Sequence, residues 1–401
     1  MAALFRVPSE GLNGANARSE HDMNPKASNL LDLAIVGGGI GGLSAAIALQ
    51  RLGHQVTVYE QAAQFMRVGA DVNLTPNAVR ALDGLGVGQE LRRTGARPTY
   101  RISRDWDTGL ETSRLAMGDT AQTVYGAPQL TIHRADLLSV LADALAPETM
   151  RFSRRLGSLA QDSAGVELSF EDGSRARHEV VIGADGIHSR VRAALFGPEQ
   201  PRFTGVVSYR AVVPTERVRQ VPEIEAFTKW WGPNPQSQIV TFPLSLGRET
   251  FVFATTGQSD WTEESWTCPG DVAELRHVYR DYHPGARALL AACDSVLKSA
   301  LYERDPLPQW SVGRVTLMGD ACHPMLPFMA QGAGMAIEDA VVLSRALAQS
   351  PSDITAALRR YEDARRERTA QIQIGSRGNQ WMKTQGNADG VYGYDAWRVA
   401  L

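Results

Sequence analysis

The sequence predicts an α/β fold: a Rossmann-like domain assembled from discontinuous pieces, an inserted, mainly antiparallel β-sheet domain, and a C-terminal helical segment. Three observations predict it. A glycine-rich turn joins an apolar strand to an Ala/Leu-rich helix near residue 40, two later apolar strands also run into glycine, and an alternating, β-rich tract lies between those two.

The elements follow in order. Residues 31–36 form an apolar run that meets glycine at once, residues 41–52 read as a helix, Gly53 stops it, and residues 55–60 form a second strand. A connection containing a helix is too long for a hairpin, so the two strands pair in parallel. Residues 136–145 read as a helix, and residues 167–170 and 179–182 as strands around the turn Glu171-Asp172-Gly173-Ser174. Between about 203 and 256 the alternation has period two, with strands at 206–213, 238–242 and 250–254 between Pro and Gly turns. From Val315 an apolar strand, a glycine-containing turn and a helix through Leu347 return the chain to the first domain, and residues 352–374 are charged and helical in pattern. This divides the chain into a nucleotide-binding domain (30–98, 130–200 and 305–350), a sheet domain (99–129 and 201–304) and a helical segment (351–401). Residues 1–29 read as a disordered tail, with Met23 an alternative start.

Composition narrows the function. A 401-residue chain with 43% hydrophobic and 21% charged residues reads as a globular enzyme. A net charge of -3 without long runs of one sign gives no footprint for nucleic acid or an anionic membrane. Three cysteines without CxxC spacing argue against a disulfide framework and a zinc site. The expectation is a cytoplasmic, metal-free enzyme acting on a small molecule, as a monomer or homodimer.

Gly37-Gly38-Gly39-Ile40-Gly41-Gly42 contains GxGxxG between a strand and a helix. Gly37 permits the tight turn, Gly39 lets a pyrophosphate approach the backbone, and Gly42 lets helix and strand pack, while the helix N-terminus faces the phosphates. Glu60, followed by Gln61, ends the next strand where an acid reaches an adenosine ribose. This motif alone suits NAD or FAD.

Two further segments carry a resemblance. Gly183-Ala184-Asp185-Gly186-Ile187-His188-Ser189-Arg190 and Gly319-Asp320-Ala321-Cys322-His323-Pro324, with the first motif, resemble the three fingerprints of the class A, single-component flavoprotein aromatic hydroxylases from about Leu31 onward. The resemblance implies bound FAD, transient NADH or NADPH, dioxygen, and hydroxylation of a small aromatic through a flavin hydroperoxide. It implies Asp320 at the ribityl chain, Asp185 and Gly186 at FAD and its reductant, and Arg134 near the pyrophosphate. A helix cap and a surface ion pair are the plain readings of Asp185 and Arg134. The loop Gln331-Gly332-Ala333-Gly334-Met335 opens a helix whose positive end would face the flavin, with Pro324 and His323 before it. Arg210, beside Tyr209, resembles the position supporting a mobile flavin, and a solvated sheet-edge arginine is its plain reading.

Within the family, Phe227-Thr228-Lys229-Trp230-Trp231, residues 323–339 and Val391-Tyr392-Gly393-Tyr394-Asp395 resemble the hydroxynicotinate hydroxylase type, and residues 238–243 the salicylate type. The chain departs from the former at Asn73 and Phe328, where that type tends to carry His. Asn73, Phe227, Phe242 and Phe328 are the candidate substrate residues, with few charges among them; plain core packing is the alternative for the aromatics. Epoxidation or antibiotic-modifying chemistry on the same fold, and a non-catalytic flavin sensor, are the rival functions.

Overall fold

A computed structural model describes residues 30–65, 71–384 and 386–401. The expectation for residues 1–29 lies outside them. The first sheet has six strands in the order Ser311–Val312, Val315–Leu317, Val180–Gly183, Asp32–Val36, Gln55–Tyr59, Met150–Arg151. All its pairs are parallel except the first. Its central strand Val180–Gly183 is buried at every position, as both faces of a parallel sheet require. Helix Ile40–Arg51 connects the first two parallel strands, and helix Gly332–Gln349 packs between it and helix Ile354–Arg377. A Cβ built on Gly41 would stand 3.1 Å from the Ala336 Cβ, so a larger residue at 41 would push the first two helices apart.

One pairing expectation is corrected. The turn at 171–174 joins Val166–Phe170 to Arg175–His178, which pair antiparallel, whereas Val180–Gly183 leaves that hairpin and enters the parallel sheet. The segment 175–178 alternates polar with Ala and His and has no apolar run to mark it as a strand.

The second large sheet has eight strands in the order Pro269–Gly270, Val296–Glu303, Arg202–Pro214, Glu249–Gly257, Gln238–Leu244, Phe227–Trp231, Tyr100–Asp105, Glu111–Ala116. It is antiparallel except where Phe227–Trp231 meets Tyr100–Asp105. Helices Val272–Val278 and Pro284–Ala291 cover one face through Tyr209, Trp230, Ile239, Leu275 and Leu289. The opposite face carries Arg101, Arg210, Phe227, Lys229, Val240 and Phe242, by the alternation of strand side chains. The C-terminal tail covers part of it: Ser103 Oγ donates to the Met382 carbonyl at 2.7 Å and Thr112 Oγ1 to that of Lys383 at 2.9 Å. Among the described residues, no helix is long and apolar enough to cross a membrane.

Candidate functional site

The glycine turn is shaped by three different demands. Gly37 has φ +111°, and a Cβ there would overlap the Ala184 carbonyl; a Cβ on Gly42 would overlap the Gly37 carbonyl. A Cβ on Gly39 would meet nothing within 4 Å, so this backbone opens on free space. Ile40 is buried and packs into the core. Glu60 spends both oxygens on the chain itself, accepting from the Gly38 and Ala62 amides at 2.8 Å each. It therefore braces the turn whatever else it touches, and Gln61 beside it is exposed.

Asp320 and Arg134 share the same space. Both are open to solvent yet crowded by protein on their other sides, the situation of groups on the floor of a cleft. Burial pushes the Asp320 carboxyl up, against the opposing charges of His323 and Arg134. Arg134 in turn feels Asp320, Asp71 and Glu60. Asp185 caps helix Arg190–Phe196, accepting from the Arg190 amide at 2.7 Å, the Val191 amide at 3.1 Å and the Ser189 hydroxyl. Gly186, with φ +77°, has open space where a side chain would point.

Helix Gly332–Gln349 begins beside Asp320: a Cβ on Gly332 would stand 4.0 Å from its Oδ1. The Met335 amide makes the first helical bond, to Gln331 at 2.8 Å, which leaves the amides of Gly332, Ala333 and Gly334 ahead of it as free donors of a helix start. Neither this helix nor Ile40–Arg51 has an acidic residue in its first turn, so the cleft receives two positive helix ends. The side-chain positions of Gly334 and Met335 point elsewhere: Gly334 packs against Gln331, Asn77 and Ala78, and Met335 is fully buried beneath Arg365. Of the two, Gly334 alone keeps a free amide for the cleft, because the Met335 amide and carbonyl are bonded to Gln331 and Arg365.

Three of the catalytic candidates, His323, Pro324 and Tyr209, are buried and engaged within the protein. His323 is 1% exposed, and its Nε2 lies 2.6 Å from Asp339 Oδ2, while Arg365 Nε bonds the other oxygen at 2.8 Å. Burial alone would push the Asp339 carboxyl up; the facing His323 and Arg365 charges overcome that and hold it at about 2. Cys322, His323 and Asp339 offer ligand atoms within 4.8 Å of one another, but Asp339 is already saturated by His323, Arg365 and the Gly319 amide. Pro324 is buried, its carbonyl held by Gln373 Nε2 at 2.9 Å. Tyr209 lies on the helix-covered face of the sheet, opposite to Arg210, because adjacent residues of one strand alternate.

Arg210 is 4% exposed with all three guanidinium nitrogens lacking a hydrogen bond, its charge 4.3 Å from the Trp266 ring. Asp71 faces both Arg210 and Arg134, and burial pushes its carboxyl up to about 7. Phe227 and Phe242 stack at 5.3 Å. Phe328 sits apart from them, with Val206, Leu326 and Leu301. Asn73 is buried, accepts from Gln129 at 2.8 Å, and leaves its own amide nitrogen unpaired. The same sheet face also holds Arg101 and Lys229, two buried basic residues beside Phe227 that were not among the candidates.

These features suit a flavin dinucleotide: open backbone at Gly39 and Gly186, a carboxylate and a guanidinium on one cleft floor, and two helix starts directed at it. The comparisons agree. The profile of the FAD binding domain family matches residues 31–374. The chain is 42% identical over 371 residues to 6-hydroxynicotinate 3-monooxygenase of Bordetella bronchiseptica, covering 92% of this chain and 96% of that one. Among solved structures, a salicylate hydroxylase substrate complex superposes with TM-score 0.79 at 27% identity, covering 92% of this chain and 96% of that one. Klebsiella pneumoniae HpxO complexed with FAD and uric acid gives 0.78 at 28% identity, covering 90% of each. With its three glycine motifs on one cleft and a profile match spanning nearly all of its described residues, the chain belongs to the FAD binding domain family.

Proposed function

We propose that this chain is an FAD-dependent monooxygenase that uses NAD(P)H and dioxygen to hydroxylate a small aromatic or N-heteroaromatic compound of the hydroxypyridine or hydroxybenzoate kind. One observation carries the reading. Asp71 is close enough to feel the charges of both Arg134, on the dinucleotide cleft, and Arg210, on the sheet face that carries Phe227 and Phe242, so the cofactor cleft adjoins that buried aromatic face. Bound FAD would supply reduction by NAD(P)H and activation of dioxygen.

The protein's own contribution is positional. Asp320 is suited to a polyol hydroxyl and Arg134 to a pyrophosphate, and the amides of residues 332–334 to negative charge on the flavin ring. Residues 30–98, 130–200 and 305–350 would hold the cofactor, and 99–129 with 201–304 the substrate. Phe227 and Phe242 on the sheet face and Phe328 on the loop would exclude water from the reacting ring, and Arg210, whose guanidinium makes no hydrogen bond, lies on the same sheet face. The curated relative at 42% identity is named for 6-hydroxynicotinate, and a further one, from Streptomyces platensis, for 3-amino-4-hydroxybenzoate, which supports a ring bearing an electron donor.

The test is a panel of hydroxypyridines and hydroxybenzoates offered to the FAD-loaded protein with NADH or NADPH. A hydroxylase shows both stimulated NAD(P)H oxidation and a product one oxygen heavier. Oxidation without product indicates a reductase, and neither indicates a flavin-binding scaffold.

A further inference from the structure

The sheet face opposite the helices contains two buried cations without a counter-charge. Strand Tyr100–Asp105 runs parallel to Phe227–Trp231, with Arg101 opposite Phe227 and Ser103 opposite Lys229. Arg101 and Lys229 therefore emerge on the same face, two positions apart. They are 4% and 3% exposed. The Arg101 guanidinium is sandwiched between the Phe227 ring at 4.7 Å and the Trp381 ring at 4.5 Å; the Tyr392 hydroxyl lies beside it, and its Nη1 is left without a hydrogen-bond partner. The Lys229 ammonium stands 3.7 Å from the Trp231 centroid and donates to Asn379 Oδ1 at 2.6 Å. Among the described residues, neither forms an ion pair with a carboxylate.

Two buried cations facing each other are costly. Desolvation penalises each, and their mutual repulsion adds to it. Aromatic faces and a neutral amide offset part of this cost, and an anion shared between them offsets more. Burial first, then Arg101 and Lys383, push the Lys229 ammonium well down from its ordinary value, so it holds its proton less readily until an anion lies beside it. The surroundings say what kind of anion. Phe328 lies 5.9 Å from the Lys229 nitrogen on the segment leading from Asp320 to Gly332, and Phe227 stacks on Phe242. A flat ring would find apolar faces here with two donors at its edge.

We propose that Arg101 and Lys229 form the anion-reading part of the substrate pocket and receive the carboxylate of an aromatic acid, one oxygen to each side chain. This rests on the aromatic-hydroxylase reading of the site. It makes charge a specificity determinant of this enzyme and sets Arg101 beside Phe227 and Lys229 near Phe328.

Binding to the FAD-loaded enzyme, read as a change in flavin absorbance, tests it with a matched pair: a hydroxybenzoate and its carboxamide. Wild type should bind the acid about 100-fold more tightly than the amide, the size expected of charge-assisted bonds. Lys229→Met and Arg101→Met should each lose most of that preference with the amide's Kd unchanged, and Arg101→Lys should keep a large part of it. Because Met removes an uncompensated buried charge, the melting temperature of Lys229→Met should hold or rise, which separates lost recognition from lost folding. An unchanged acid-to-amide preference in both Met variants overturns the proposal. So does a raised KM for NAD(P)H with an unchanged Kd for the acid, which would assign the cations to the reductant's phosphates. Charge-dependent binding without oxygen insertion supports the subsite and overturns the hydroxylase reading. Equal hydroxylation of acid and amide overturns the subsite and leaves that reading standing.

Discussion

His323 Nε2 lies 2.6 Å from Asp339 Oδ2, in a buried network that Arg365 completes on the carboxylate's other oxygen. A histidine held this way is a strut between the turn after strand Val315–Leu317 and helix Gly332–Gln349. His323→Ala should therefore lower stability by about 3–5 kcal/mol, the range for breaking a buried charged pair. The pH profile of kcat should keep its shape in whatever protein remains folded. Loss of one limb of that profile with an unchanged melting temperature would return His323 to acid–base chemistry.

The two glycines of the loop separate by direction. Gly332 faces Asp320 and the cleft, with only ordinary contacts around a built Cβ, whereas a Cβ on Gly334 comes 3.3 Å from Gln331 Oε1 and 3.5 Å from Asn77 Nδ2. Gly332→Val should fold and bind FAD at least about 10-fold more weakly, because its branches enter the cofactor's space. Gly334→Val should instead cost about 1–3 kcal/mol of stability through overpacking against helix Pro76–Gly84. Flavin retention and thermal unfolding, measured on both variants, decide the assignment; equal behaviour would mean that the helix start is not oriented as described.

Tyr209 and Arg210 are neighbours in sequence and occupy opposite faces of one strand. Tyr209→Phe should leave kcat/KM for the aromatic substrate within about twofold of wild type, since the ring stays in the outer core and its hydroxyl points to Glu274 on the helix-covered side, away from Arg210. Arg210→Met should lower product formed per NAD(P)H consumed. A large effect at Tyr209 with none at Arg210 would reverse the face assignment.

What the sequence made legible follows from how local each feature is. The glycine turn, Asp320 at the end of a strand and the helix start at Gly332 are each set by a few consecutive residues. Their chemistry could be read without knowing what packs on them. Which side chain faces the cleft depends on sheet register, which distant strands decide. Period-two alternation did hold part of the answer. If Phe227 faces the pocket, then Lys229 must face it too, because residues two apart on a strand share a face. Arg101 had no such signal, because its place beside Phe227 comes from a parallel pairing between strands more than a hundred residues apart. Asp185 shows the opposite case, where the plain cap reading from sequence describes the contacts its carboxylate makes.

Asp71 offers a pH test of the line joining the two halves of the site. Burial pushes its carboxyl from an ordinary 3.8 up to about 7, with Arg210 and then Arg134 pulling the other way. A carboxyl whose pKa is raised by folding favours the folded state while it is protonated. That contribution is full below about pH 4 and is lost as the pH rises through about 7. Asp71→Asn keeps a neutral, similar-sized group and so removes this dependence. The melting temperature of the variant should match wild type near pH 4, exceed it progressively toward pH 7, and stay about 2–4 °C higher above that, measured on the FAD-loaded protein. The same variant deprives Arg210 of the charge it faces, so product formed per NAD(P)H consumed should fall at pH 8 although the protein is more stable there. A difference in melting temperature that does not change between pH 4 and 8 would show that Asp71 titrates as an ordinary surface acid, and the electrostatic link between Arg134 and Arg210 would be lost with it.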